Sequence, residues 1–354
     1  MKGLILAYSF PPNPGVGALR PAYWARHFKD QHNVDIEVIS AYRNEEKQEY
    51  TFHHVPLKSK SSFSAIIKDE GLRWRHDVMR YLSRNPITDL NFVIITGGPF
   101  FHFSLSKYFK NQGVKVYLDF RDPFSYNPRL KEKRLKKWIK QRFEYSATKH
   151  ANALIAVNAE CHNYIAPKNQ SIKRWIIPNG FNDEIDSNKK EVSQGLFYAG
   201  KFYWEPISFF DVLQNLGLTF KHAGEKIDSN HEYIRQNKYE YFGYLNQADL
   251  YDKIAESDTG VVFTMDIPFE STTKIYDYIA LNKKILIITK GKPGEGALKR
   301  ELDKYPYHKW VSNNKADITN AIIELQKLKV KEFNPYPYSR KHALHLLNEL
   351  ICND

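Results

Sequence analysis

Sulfur and long apolar runs are what this sequence has least of. Its 354 residues include 2 cysteines, Cys161 and Cys352, and 3 methionines. Two cysteines so far apart make no metal or redox spacing; no structural disulfide is expected, and the usage suits a reducing compartment. No stretch approaches the roughly 20 apolar residues that a membrane span needs. The apolar run from Leu4 to Ala7 is too short for a secretion signal and soon meets Pro11-Pro12, so a soluble, cytoplasmic protein is expected. There is no internal repeat and no low-complexity tract, which sets aside solenoids and disordered tails. Aromatic residues, in contrast, are abundant. With 23 Tyr, 22 Phe and 26% charged residues, the composition is that of a globular chain, long enough for two domains with separate cores.

Acidic residues are scarce in one half only. Residues 1–178 carry 29 Lys+Arg against 15 Asp+Glu, a net +14, whereas residues 179–354 carry 23 against 25, a net −2. Such asymmetry favours a polyanionic partner for the first half: an anionic membrane surface, a phosphorylated lipid or nucleic acid. The densest segment is 129–150, with 8 Lys/Arg between 129 and 142 around a partial apolar stripe of Leu135, Trp138, Ile139 and Phe143. One reading is a helix packed on its own domain with a solvated basic face. The other is peripheral docking on the inner face of a membrane through Arg134, Lys136, Lys137 and Lys140, with Trp138 at the interface. Interleaved aromatic and basic recognition motifs are lacking outside this segment, so no nucleic-acid partner is expected.

Strand-like and helix-like runs alternate along the whole chain, the pattern of α/β architecture with parallel sheets. In the first half, strands are predicted near 2–8, 34–40, 91–96, 115–119, 152–157 and 174–177. Helices are predicted near 18–30, 62–84, 101–111, 129–150 and 158–166. The polar stretch Asn182–Gln194 reads as a linker. Strands then follow at Gly195–Ala199, Leu218–His222, Tyr239–Phe242, Gly260–Thr264, Lys284–Ile288 and His308–Val311. Two doubly wound Rossmann-like domains facing across a cleft fit this pattern, spanning 1–180 and 181–335. The amphipathic helix within 336–354 would pack back on the first domain.

The most informative segment is Gly260–Thr289. An apolar strand (Val261, Val262, Phe263, Thr264) leads through a polar stretch to a short helix, with Ser271 or Thr272 placed to cap it. Ile275, Tyr278 and Ile279 fall on one face. Thr273, Lys274 and Asp277 fall on the other, offering a hydroxyl, a cation and a carboxylate. A helix start with a cation suits a phosphate, and an Asp one turn on can accept from a ribose diol. The other motifs also follow strands. Gly15 and Gly17 allow a tight turn before a helix, with Arg20 just beyond. Thr96-Gly97-Gly98-Pro99-Phe100 is followed by His102, and Asp119-Phe120-Arg121-Asp122-Pro123-Phe124 has carboxylates whose spacing is wrong for a metal D-x-D. Asn179-Gly180 reads as a hinge turn, and Gly200-Lys201 closes the next strand.

The string Thr272–Leu286 (TTKIYDYIALNKKIL) resembles the donor-site signature of GT-B glycosyltransferases of the retaining, family-4 type. Asp277 stands for the usual Glu, Thr273 where Pro is common, and Asn282 where Gly is common. The Glu that relatives carry eight residues earlier would fall on Phe269, with Glu270 the nearest carboxylate. The glycine loop, the G-G-P-F loop, D-x-R-D-P-F, P-N-G-F and A-G-K occur in the family's order over residues 1 to about 350. The resemblance implies an acceptor-binding first domain and a donor-binding second domain. It also implies a nucleotide-diphosphate sugar as donor, a saccharide or lipid-linked saccharide as acceptor, and neither metal nor other cofactor. Carried over residue by residue, His102, Asp119 and Arg121 line the catalytic region. The donor set is Gly15, Gly17, Arg20, Gly200, Lys201, Glu270, Ser271, Thr272, Thr273, Lys274 and Asp277. Lys201 and Lys274 would neutralise the leaving diphosphate, since Glu205-Pro206-Ile207-Ser208 stands where a second basic residue is usual. Two rivals stay open: a sugar-nucleotide epimerase of the same fold, which calls for a carboxylate–His set the sequence does not assemble, and a basic nucleic-acid-binding protein.

Overall fold

A computed structural model of the chain describes residues 1–13, 15–44, 49–60, 67, 69–184, 193–265, 267–291 and 293–354. Pro14 of the glycine loop, most of the expected linker (185–192) and the start of the helix expected near 62–84 (62–66 and 68) lie outside them. The chain divides into two compact units. Unit 1 comprises Met1–Pro178 and Ala343–Asp354, and unit 2 comprises Asn179–His342.

Unit 1 is built on a wholly parallel sheet. Its strands are β1 (Lys2–Ala7), β2 (Asp35–Ser40), β3 (Thr51–His54), β4 (Phe92–Thr96), β5 (Lys115–Phe120), β6 (Ala153–Ala156) and β7 (Lys173–Ile176), in the order β3-β2-β1-β4-β5-β6-β7. Every residue of β4 is buried, as expected of a strand covered on both faces by crossover helices. Helices α1 (Val16–His32), α2 (Gly71–Arg84), α3 (Ser106–Asn111), α4 (Arg134–Thr148) and α5 (Ala159–Asn163) supply that cover. The core joins Ile5, Ile94 and Ile155 of the sheet to Trp24 and Phe28 of α1 and to Leu344, Leu347 and Leu350 of the C-terminal segment.

Three features depart from the sequence expectation. Strand β3 was not anticipated. It is a half-exposed edge strand with two histidines, positioned by Phe52 against Phe10 (ring centroids 5.6 Å apart) and by His53 between Glu37 (2.6 Å) and Tyr81 (2.8 Å). The helix expected over 101–111 begins as a 3₁₀ turn, Phe101–Leu105, before α3. The helix expected over 129–150 starts only at Arg134, without a side-chain cap or an acidic residue in its first turn.

Unit 2 carries a second parallel sheet: β8 (Ser193–Ala199), β9 (Phe220–Ala223), β10 (Tyr239–Tyr241), β11 (Ser257–Thr264), β12 (Lys284–Thr289) and β13 (His308–Ser312), in the order β10-β9-β8-β11-β12-β13. Helices α6 (Ile207–Leu216), α7 (Gln247–Ala255), α8 (Lys274–Ala280), α9 (Ala297–Leu302) and α10 (Lys315–Lys327) flank it, with one apolar cluster on each face. The last helix, α11 (Arg340–Cys352), begins in unit 2, and its residues from Ala343 onward belong to unit 1. The two units meet at 178/179 and 342/343. In each sheet the strand order reverses beside the first strand, at β1/β4 and at β8/β11, and such switch points are where open α/β sheets place ligands.

Candidate active site

In unit 1 the loops at the carboxyl ends of β1, β4 and β5 meet around one guanidinium. Arg121 follows β5, and its Nη2 donates a short hydrogen bond to the Gly97 carbonyl. A Cβ on Gly17 would lie 2.1 Å from Arg121 Nη1, so a side chain there would displace the guanidinium from the α1 start. Burial lowers the pKa of Arg121, opposed by Asp119 and Asp122. Asp119 is fully buried, accepting from the Thr96 hydroxyl at 3.0 Å and pairing with Arg20 at 3.2 Å. The Gly97–Phe101 loop is pinned by half-buried Asp69, which accepts from the backbone N–H groups of Phe100 and Gly71 at 3.0 and 2.9 Å.

Two sequence expectations in this unit are corrected. Arg20 does not face outward. It is 4% exposed, donates to the Ile177 carbonyl at 2.7 Å and lies over Trp24, tying α1 to the end of the first chain segment. His102 likewise presents no surface. Its Nε2 lies 3.0 Å from the Thr96 carbonyl, its ring packs edge-on to Trp74, and burial pushes its pKa down to about 3. A neutral, enclosed imidazole in that position supports the Thr96 strand end, one shell behind the surface. Gly15 accepts from the Ala18 N–H at 2.8 Å and so opens α1.

In unit 2 the corresponding loops surround an ammonium group. Lys274, at the start of α8, is half-buried, and among the described residues its Nζ has neither a hydrogen bond nor an ion pair. It lies over the Tyr198 ring, 5.6 Å from the centroid. Gly200 makes room for it: a Cβ there would sit 2.5 Å from Lys274 Cε, and φ of +146° suits glycine alone. Burial lowers the pKa of Lys274, while Asp277 and Glu270 oppose the shift. The Gly200 backbone is itself fixed from behind. Its N–H donates to the Ala223 carbonyl at 2.8 Å, its carbonyl meets His222 Nε2 at 2.9 Å, and a Cβ on Gly224 would lie 2.5 Å from that carbonyl oxygen.

The remaining expected residues are placed unevenly. Lys201 is exposed and paired with Glu225 at 2.8 Å, so an anionic ligand there would compete with a carboxylate. Beyond it lies a cavity of about 260 Å³ lined by Tyr203, Trp204, Glu205 and Asp228 among others. Glu270 accepts from the Met265 N–H at 3.0 Å and closes the loop before α8. Neither Ser271 nor Thr272 caps α8. The cap position is Thr273, without a side-chain bond, and the Ser271 hydroxyl instead donates to Glu301 at 2.9 Å. Asp277 accepts from the Tyr251 hydroxyl at 2.5 Å, and burial raises its pKa to about 6. Tyr198, Tyr251, Gly224 and Glu301 were not anticipated. Gly224 had a signal, a glycine closing a strand just as Gly200 does. Tyr251 and Glu301 had none, since they reach the site from 26 and 30 residues away.

No group of three or more His, Cys, Asp or Glu among the described residues could hold a metal ion. Both cysteines are unbridged. No helix among the described residues is long and apolar enough to cross a membrane.

Solved structures share this architecture over the whole chain. A UDP-GlcNAc 2-epimerase from Methanocaldococcus jannaschii aligns with a TM-score of 0.59 at 10% identity, covering 99% of each chain. The UDP-GlcNAc 2-epimerase of Neisseria meningitidis bound to UDP-GlcNAc gives 0.57 at 12% identity, covering all of both chains. UGT89C1 of Arabidopsis thaliana, complexed with UDP-L-rhamnose, gives 0.60 at 12% identity, covering 99% of this chain and 98% of that one. The fold is of the GT-B class. No family model and no curated protein matches the sequence.

Proposed function

We propose that the chain is an enzyme acting on a nucleoside-diphosphate sugar, with the diphosphate held in unit 2 against Lys274 and the Gly200 turn. The observation that carries this is the half-buried ammonium of Lys274 beside a glycine backbone, which among the described residues makes no hydrogen bond or ion pair and feels Asp277 and Glu270 only at longer range. Burying a charge is costly unless it is paired, and an anionic ligand supplies the missing partner. The resemblance in motif order agrees with it. So do two of the fold relatives, which bind UDP-GlcNAc and UDP-L-rhamnose.

Two reactions suit such a site. Epimerisation of the bound sugar nucleotide is favoured by the fold relatives, several of which are UDP-GlcNAc 2-epimerases. Transfer to a saccharide acceptor is favoured by the order of the family-4-like motifs and by Arg121 at the α1 start. In either reaction Lys274 would hold the β-phosphate, and the Tyr198 ring would keep water from the ammonium's inner side. Incubation with UDP-GlcNAc alone separates them. A C2-inverted product without any acceptor supports epimerisation, whereas turnover only on adding saccharide supports transfer. Lys274→Ala should weaken nucleotide-sugar binding about ten- to a hundredfold, the scale of a charge-assisted hydrogen bond. Unchanged affinity in a folded Lys274→Ala protein would overturn the assignment.

A further inference from the structure

The segment 129–142 has two faces of different character. Inward, Phe143 stacks on Phe101 at 4.2 Å, and Lys140, only 6% exposed, reaches Glu132 at 2.8 Å and lies over Phe124. Lys136 joins the same carboxylate at 3.1 Å. Glu132 therefore pairs with both inward lysines, and it is the single acidic residue of the segment. The sequence expectation that Lys136 and Lys140 face a partner is thus corrected. Outward, Lys131, Lys133, Arg134, Lys137 and Arg142 are exposed. Among them stand three large apolar side chains, Leu130 at 49%, Leu135 at 69% and Trp138 at 57% exposure.

We propose that this outward face docks unit 1 peripherally on a bilayer rich in anionic phospholipid. A solvated basic helix face has no use for an exposed leucine and tryptophan one turn apart. A headgroup layer accommodates both kinds of side chain at once. Arginine and lysine meet the phosphates while leucine and tryptophan enter the acyl boundary. Protein-docking cores are instead depleted of lysine, and the single tryptophan of 129–142 falls short of the successive aromatic platforms on which RNA-binding surfaces stack bases. Because no described helix spans a bilayer, attachment would be reversible and sensitive to salt.

The test is co-sedimentation with vesicles of phosphatidylcholine alone and of phosphatidylcholine mixed with phosphatidylglycerol, at low and high salt. Binding is expected only to the mixed vesicles at low salt. Arg134→Ala with Lys137→Ala should lower the partition constant about thirtyfold, at about fivefold per cation. A blue shift of tryptophan emission on binding should disappear in Trp138→Phe. Equal binding to both vesicle types, no binding to either, or binding unaffected by the double variant would overturn the proposal. So would a dimer in solution that the double variant dissociates while vesicles capture nothing.

Discussion

Lys274 and Asp277 lie one helical turn apart on α8, and burial drives both toward their neutral forms. Their mutual attraction works the other way, and so do the Tyr251 hydroxyl and Arg340 on the aspartate. The result for Asp277 is a pKa raised from 3.8 to about 6. A raised carboxyl pKa contributes stability that is fully present below the unfolded value and is lost as pH rises through the folded one. Asp277→Asn removes that dependence while keeping an acceptor for Tyr251. The melting temperature of the variant, relative to the native chain, should climb between pH 3.8 and about 6 and level off above. Thermal denaturation across that range checks it, and an offset independent of pH would rule it out. The lysine–aspartate pair was legible in the sequence because both lie on one short helix after an apolar strand. Its support Tyr251 comes from another helix, 26 residues away, and nothing local in the sequence points from one to the other.

At the scale of elements, strands enclosed on both faces announce themselves as unbroken apolar runs; β4 and β12 are buried throughout. Strand β3 carries no such run, because an edge strand buries one face incompletely and its pairing is decided by Phe10, Glu37 and Tyr81. Caps failed for a related reason. Ser271 has the right residue type, but the helix starts later, with Thr273 at its cap position, and the Glu301 carboxylate across the loop takes the Ser271 hydroxyl. Glycines that let two backbones touch are equally invisible until the strands are assembled. Gly224 is the clearest case, with φ of +124° and the Gly200 carbonyl where a Cβ would go. Gly224→Ala should destabilise unit 2 by about 1–3 kcal/mol through overpacking and backbone strain. It should also displace the Gly200 turn that accommodates Lys274, so that nucleotide-sugar binding falls more than stability alone explains. Urea denaturation beside titration with UDP-GlcNAc measures the two effects, and intact affinity in the variant would show that the turn tolerates displacement.

For the molecule as a whole, the chain leaves unit 1 once, after Pro178, and ends there again through α11. That return is a packing requirement of unit 1. Ala343, Leu344, Leu347, Leu350 and Ile351 are all at most 2% exposed within its core, and the terminal Asp354 accepts from the Tyr117 hydroxyl at 3.2 Å. Unit 2 meanwhile holds its own two apolar clusters and the Lys274 site. The proposed diphosphate site and the chain termini therefore belong to different cores, and calorimetry can separate them. Leu347→Ala removes a fully buried side chain from unit 1 at a cost of roughly 2–5 kcal/mol. A ligand held in unit 2 raises the stability of whatever unfolds with that unit. Two transitions are expected on heating. UDP-GlcNAc should raise one of them, and Leu347→Ala should lower the other, by about 2–4 °C for each kcal/mol lost. A single transition moved by both would mean that the units unfold together. If Leu347→Ala lowered only the transition that the nucleotide sugar raises, the ligand site would have to belong with unit 1.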